Sequence, residues 1–316
     1  MPAESSGTSG GGGVRTQTDA GRPGDDPVLT IVVPMFEERA RVEPTIRDVV
    51  ATLDRWGLQA EIITVDDGST DGTASLVERV ARTLVREGSG AARGIRLLVH
   101  ERNRGKGAAV RTGLESARAP WVLMMDADNA TGLGQLPKLL DTARTTGAGL
   151  VAGSRAAPDA DVRTEPLRRA GGAAFRAALG ALGIGYVRDT QCGFKLYRRD
   201  AAALCAQLGR EDGFAFDLEH LGLCKLAGLG IAEVGVRWDH REGGTIRIVR
   251  DGLGMLAQAW RIRRRLGSLG PESLNIADPG DLPWPEVKPQ TVTHAASPKP
   301  VEADRIEAAS IRSSRH

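Results

Sequence analysis

The strongest constraint on this chain is a repeated arrangement in which short apolar runs each break off in polar residues before a helical pattern begins. Val28 to Val33 is the first run and stops at Pro34. Glu61 to Val65 leads into Asp66-Asp67-Gly68-Ser69-Thr70-Asp71, and Ile95 to Val99 is followed by Asn103-Arg104-Gly105-Lys106-Gly107. Trp121 to Met125 ends in Asp126-Ala127-Asp128. Between these runs, Ile46, Val49, Val50 and Leu53, then Ala74, Val77, Val80, Ala81 and Leu84, then Val110 and Leu114 recur at helical spacing. Strands that alternate with helices are joined by right-handed crossovers and form a parallel sheet covered on both faces. The predicted fold class is α/β: a Rossmann-like, mostly parallel sheet flanked by helices. The three polar clusters then share the carboxyl edge, where open α/β sheets bind ligands.

Composition narrows the function. A formal charge of +2 over 316 residues argues against general nucleic-acid binding. No run of apolar residues is long enough to span a bilayer, and the nearest, Ala170 to Val187, is broken by Arg176. The start of the chain has no basic segment followed by an apolar one, so no secretory signal is expected. Cys192, Cys205 and Cys224 lack metal-type spacing and fit reduced thiols in a cytoplasmic protein. Residues 1–26, rich in Gly, Ser and Thr, read as a disordered leader, and residues 267–316, with scattered prolines, as a disordered tail. The folded part is 27–266, with a nucleotide-binding half over 27–130 and an acceptor half over 131–266.

The edge clusters suggest a chemistry. Residues two apart in an extended segment point to one side, so Asp126 and Asp128 present their oxygens together. Paired carboxylates call for a cation, and oxygen donors suit Mg²⁺ or Mn²⁺. The plainer alternative is a loop in which Asp128 or Asn129 caps the next helix. Asp66 and Asp67 can accept hydrogen bonds from a pyrimidine N–H or from ribose hydroxyls. Lys106 between Gly105 and Gly107 offers a cation and bare backbone to a nucleotide. Neither a P-loop nor a GxGxxG after the first strand occurs.

Together, Val33-Pro34-Met35-Phe36-Glu37-Glu38, Val65 to Thr73, Asn103 to Gly107 and Asp126-Ala127-Asp128 resemble the successive motifs of family 2 glycosyltransferases with the GT-A fold. Asp189-Thr190-Gln191-Cys192-Gly193-Phe194-Lys195, Phe216-Asp217-Leu218-Glu219 and the region from Trp238 to Met255 resemble the dolichyl-phosphate β-glucosyltransferase branch. The resemblance implies a metal-dependent inverting transferase that moves a hexose, glucose by the subgroup string, from a nucleotide sugar such as UDP-glucose to a polyprenyl phosphate. It implies that Pro34, Phe36, Glu38 and Asp67 hold the nucleoside, that Lys106 closes over it, that Asp126 lies at the ribose and metal, and that Asp128 ligates the metal. The chain departs from the pattern at Glu37, where the family has Asn, and at Gly244-Thr245, where the subgroup has Ser-Lys. Arg247 and Arg250 are the cations left to replace that lysine.

The second half should supply the acceptor side. Arg155 to Pro166 reads as a mobile loop, and Leu167 to Leu182 as a small-residue helix carrying Arg168, Arg169 and Arg176. Gln191 and Lys195 lie between expected strands and face either sugar or solvent. Asp217 and Glu219 point apart if helical, so one at most is the base, and Asp217 is favoured. A phosphate acceptor, already anionic near neutral pH, has little need of a base, whereas an alcohol needs one. The last helix, Val249 to Leu266, carries Leu253, Leu256, Trp260 and a terminal arginine cluster, which suits peripheral attachment to the inner face of an anionic membrane. Two alternatives stand beside this reading: the same donor with a soluble acceptor, and a catalytically silent nucleotide-sugar binding protein.

Overall fold

The computed structural model describes residues 14–16, 27–162, 176–239, 248–274, 280 and 282–287. Arg168, Arg169, Gly244, Thr245 and Arg247 lie outside the described residues. Four parallel strands form the nucleotide-side sheet: β2 (Leu29–Met35), β3 (Ala60–Asp66), β4 (Ile95–His100) and β5 (Trp121–Met125). The helices that follow them are α1 (Val42–Trp56), α2 (Thr73–Arg86), α3 (Lys106–Ser116) and α4 (Leu136–Thr146). Then come β6 (Leu150–Ser154), the short β7 (Asp161–Val162), β8 (Phe194–Arg198), α5 (Arg199–Leu208) and α6 (Phe216–Leu226). Strands β9 (Ile231–Gly235) and β10 (Arg237–Trp238) and the helix α7 (Ile248–Leu266) complete the elements that bear on the site. With an edge strand β1 (Val14–Thr16), the main sheet runs β1-β4-β3-β2-β5-β8-β6-β9.

The alternation of side chains along β2 shows why the sheet is covered on both faces. Ile31 and Val33 pack with α1, α2 and α4, whereas Val32 packs with α3, α5 and α6. The second packing cluster joins Val110 and Met124 to Tyr197, Cys205 and Phe216, so the two expected halves share one core. The chain builds β2, β3 and β4 outward in one direction, then returns to place β5 on the other side of β2. That reversal opens a crevice between the carboxyl ends of β2 and β5. β8 runs antiparallel between β5 and β6 and carries the acceptor-side residues into the sheet.

Four expectations need correction. The first strand continues past Pro34 to Met35, paired with β3 through Pro34↔Val65 and Met35↔Asp66. The β2–β5 ladder ends at Val32↔Met124, so the missing N–H of Pro34 falls where that pairing has already ended. The expected disordered leader contributes Val14–Thr16, which pairs antiparallel with β4 and covers an open sheet edge. The expected disordered tail also packs: Leu269 and Leu274 join the cluster around Leu266, and Trp284 lies on Trp121 with ring centroids 4.4 Å apart. The expected loop after β6 contains β7, which pairs parallel with β10.

Candidate active site

The carboxyl edge brings Lys106 and Asp126 together. Lys106 is the first residue of α3, and its Nζ donates to Asp126 Oδ1 at 2.6 Å with both side chains partly open to solvent. Burial works against the lysine charge, but Asp126, Asp217 and Asp128 together raise its pKa above the ordinary value. Glu38 is drawn into the same field. Burial raises its pKa, Arg41 opposes this through bonds of 2.7 and 2.9 Å, and Asp128 and Asp126 raise it further. Phe36 stands exposed just beyond β2, while Pro34 is buried within the strand.

Asp128 commits Oδ1 to the Ala130 N–H at 3.0 Å within a turn, but neither Asp128 nor Asn129 caps the next helix, which starts without a side-chain cap. Asn129 follows with φ 54°, a left-handed position that Asn tolerates, and its amide donates to Asp48. Among the described residues no group of three or more His, Cys, Asp or Glu side chains is arranged to hold a metal ion. A two-carboxylate set still fits Mg²⁺ or Mn²⁺, which take their remaining ligands from phosphate oxygens and water. The ammonium of Lys106 supplies the positive partner of Asp126 in this structure.

Asp66 and Asp67 are both engaged within the protein. Asp67 is buried, and its oxygens accept from Arg104 N–H at 3.0 Å, Gly105 N–H at 2.7 Å and His100 Nδ1 at 2.6 Å. The carboxylate thus fixes the loop before Lys106. His100 also contacts Thr112 Oγ1 at 3.0 Å through Nε2, tying that loop to α3. Asp66 accepts the Ser69 N–H at 2.7 Å, while its Oδ2 is buried with no partner and burial raises its pKa. Gly105 and Gly107 were expected to admit a nucleotide. The structure gives that space to protein, since a methyl group at either position would overlap the backbone carbonyl of Asp212 or Glu211.

On the acceptor side, the Asp189 to Lys195 string acts as a bracket. Asp189 binds Arg155 through Nε at 2.7 Å and Nη2 at 2.9 Å, and burial, which would raise its pKa, is outweighed by those contacts. Gly193 accepts the Asp126 N–H at 3.0 Å, and any side chain there would overlap the Asp126 carboxylate. Lys195 lies within β8, fully buried, with Nζ 3.1 Å from Thr190 O, 2.6 Å from Cys192 O and 2.6 Å from Asp217 Oδ1. It therefore faces neither sugar nor solvent. Gln191 is half-buried, and its Nε2 is left without a partner.

Asp217, the expected base, sits in the first turn of α6 at 3 % exposure. Burial raises its pKa, and Lys195 and Lys106 pull it back. Glu219 points elsewhere, as helical geometry requires, and pairs with Arg265. Sequence reasoning missed Arg155, His100 and Asp212. Only the glycines of the Gly-Lys-Gly loop, which report close backbone approach, signalled that something packs there.

The match to known proteins follows this layout. The model for glycosyl transferase family 2 matches residues 30–204, from the start of β2 into α5. The chain belongs to glycosyltransferase family 2. It is 32 % identical over 254 residues to the dolichyl-phosphate beta-glucosyltransferase of Dictyostelium discoideum, covering 77 % of this chain and 76 % of that protein. Against the Homo sapiens protein of the same name it is 31 % identical over 230 residues, 69 % of each chain. Its backbone resembles glucosyl-3-phosphoglycerate synthase from Mycobacterium tuberculosis in complex with Mn²⁺ and UDP-glucose, with a TM-score of 0.54, 24 % identity and coverage of 77 % and 80 %. Mannosyl-3-phosphoglycerate synthase from Rubrobacter xylanophilus gives a TM-score of 0.54 at 22 % identity over 81 % and 79 %. The fold is GT-A, and the protein is a glycosyltransferase.

Proposed function

We propose that this glycosyltransferase moves glucose from UDP-glucose to a polyprenyl phosphate, with inversion at the sugar. The observation that carries the acceptor class is the state of Asp217. An alcohol must lose a proton as it attacks, and Asp217, the carboxylate expected to take it, is buried and held 2.6 Å from Lys195. A phosphate monoester brings its own anionic oxygen. That oxygen attacks the anomeric carbon, the bond to the nucleoside diphosphate breaks, and the electron pair leaves with the diphosphate. The names of the relatives support the same acceptor and sugar.

In this reading Phe36 and the β2–β5 crevice receive the base, and Lys106 meets the diphosphate in exchange for Asp126. Asp126 and Asp128 would hold Mg²⁺ or Mn²⁺, which offsets the negative charge of the departing diphosphate. Asp67, Gly193 and the Lys195–Asp217 pair set the positions of these groups. Gln191 and Arg247 complete the acceptor side as proposals from the sequence motif.

Peripheral attachment to the cytoplasmic membrane face is part of the proposal, with one revision. No helix among the described residues is long and apolar enough to cross a membrane. Ala259, Ile262 and Leu266 of α7 are buried in the core, so the apolar face of the C-terminal turns of this helix is already covered. What faces outward is Trp260, 53 % exposed, with Arg261 and Arg264 beside it. Attachment then rests on one indole and a cationic helix end, together with the acceptor lipid.

That covered face keeps a soluble phosphorylated acceptor as the second reading. The test is transfer of labelled glucose from UDP-glucose to a short polyprenyl phosphate and, separately, to 3-phosphoglycerate. Label in the lipid phase alone supports the proposal. Label in phosphoglycerate alone overturns it in favour of the second reading.

A further inference from the structure

The first turn of α3 has no cap of its own. Its N-cap residue is Gly105, which has no side chain to accept from the free N–H groups of that turn. The acceptor comes from far along the chain: the carbonyl of Asp212 takes the Gly107 N–H at 2.7 Å and the Ala108 N–H at 3.3 Å. The carboxylate of Asp212 pairs with Arg111 on the same helix. Gly105 and Gly107 are the clearance for this contact, since a Cβ at either would overlap the incoming backbone. A loop of the acceptor half thereby closes the end of the helix that presents Lys106.

The loop is held from behind. Its Arg210 and Glu211 N–H groups donate to Glu219 Oε2 at 2.7 and 2.8 Å, and Glu211 Oε1 accepts from Gly213 N–H at 3.1 Å. Glu219 is 2 % exposed, and its other oxygen accepts from Arg265 Nη1. Arg265 also donates to Leu208 O, where the loop begins. Arg265 is the penultimate residue of α7. An unbroken set of contacts therefore runs from the end of the last helix through Glu219 and the loop to the backbone beside Lys106.

We propose that Arg265 is a positioning residue for the donor site, fixing Lys106 against Asp126 through Glu219 and the Asp212 carbonyl. The inference rests on Lys106 acting on the donor. Because Arg265 stands on the helix that carries Trp260 and Arg264 outward, a ligand or surface that shifts this helix would be felt at the donor edge.

The test compares wild type with Arg265→Ala and Arg265→Lys, using amide hydrogen exchange and steady-state kinetics. In Arg265→Ala the Gly107 and Ala108 amides should exchange faster while β2 to β5 stay protected. The KM for UDP-glucose should rise roughly five- to tenfold, the scale of a lost helix cap, with the acceptor KM little changed. Arg265→Lys should recover part of both. Gly107→Ala, which wedges the loop from the other side, should raise the same KM and serves if Arg265→Ala does not fold. Unchanged exchange at Gly107 and Ala108 would overturn the proposed link. Faster exchange with an unchanged donor KM would also overturn the proposal, and would place the fault in the donor role of Lys106.

Discussion

Two lysine–aspartate pairs, each 2.6 Å long, stand at the heart of this molecule and behave as opposites. Lys106–Asp126 lies at the sheet edge with side chains 24 % and 36 % exposed, whereas Lys195–Asp217 is buried at 0 % and 4 %. In the open pair, water and incoming ligands compete for each partner, so the contact is cheap to break. In the buried pair neither charge has anywhere else to go, and the pair is a fixed strut. One motif chemistry thus serves exchange at the edge and rigidity just behind it. Asp217 takes part in both, since its charge also raises the pKa of Lys106.

The largest effect should come from breaking the strut. Lys195→Met leaves Asp217 buried without its counter-charge and should lower unfolding stability by about 3–5 kcal/mol, measured by urea titration. Adding Asp217→Leu should restore much of it. If the single variant were as stable as wild type, the two pairs would not differ as described.

A smaller effect, and of another kind, is expected from Lys106→Met. Stability should change by about 1 kcal/mol or less, while affinity for UDP falls roughly ten- to a hundredfold, the scale of a charge-assisted hydrogen bond. Loss of stability without loss of binding would invert the comparison.

The buried region should also show itself in pH. Burial, with help from the charges of Lys195 and Arg111, pushes the His220 pKa down to about 3. An unfolded histidine near 6.5 binds its proton first, so stability is full above that value and declines as pH falls toward 3. The deficit is about 2 kcal/mol at pH 5. His220→Gln, which keeps a partner for the Tyr197 hydroxyl 3.1 Å away, should flatten the decline between pH 6.5 and 5 in denaturant titrations. An unchanged slope would mean that His220 is not held neutral by its surroundings.

The sequence made the open region legible and left the buried one dark, for physical reasons. Strand ends are marked by an abrupt change from apolar to charged residues, so Asp126, Asp128 and Lys106 stand out, and their shared edge follows from crossover handedness. What each carboxylate touches is another matter. Asp67 reads as a nucleoside ligand, and nothing local announces that its oxygens accept from His100, Arg104 and Gly105. Lys195 reads as a cation facing sugar or solvent because lysines seldom go inside, and only the antiparallel insertion of β8 reveals the buried aspartate opposite. Trp284 reads as part of a polar tail, since nothing local announces that Trp121 awaits it. Local pattern carries period and punctuation, but pairings across a hundred residues are set by packing.

The most direct measurement is calorimetric titration of UDP-glucose, with and without Mn²⁺, into wild type and Asp128→Asn. If the strand-end carboxylates form a metal-assisted donor site, wild type binds UDP-glucose only with Mn²⁺, and Asp128→Asn weakens that binding at least about tenfold at unchanged fold stability. Binding that ignores both Mn²⁺ and Asp128, or no binding under any condition, would contradict the account.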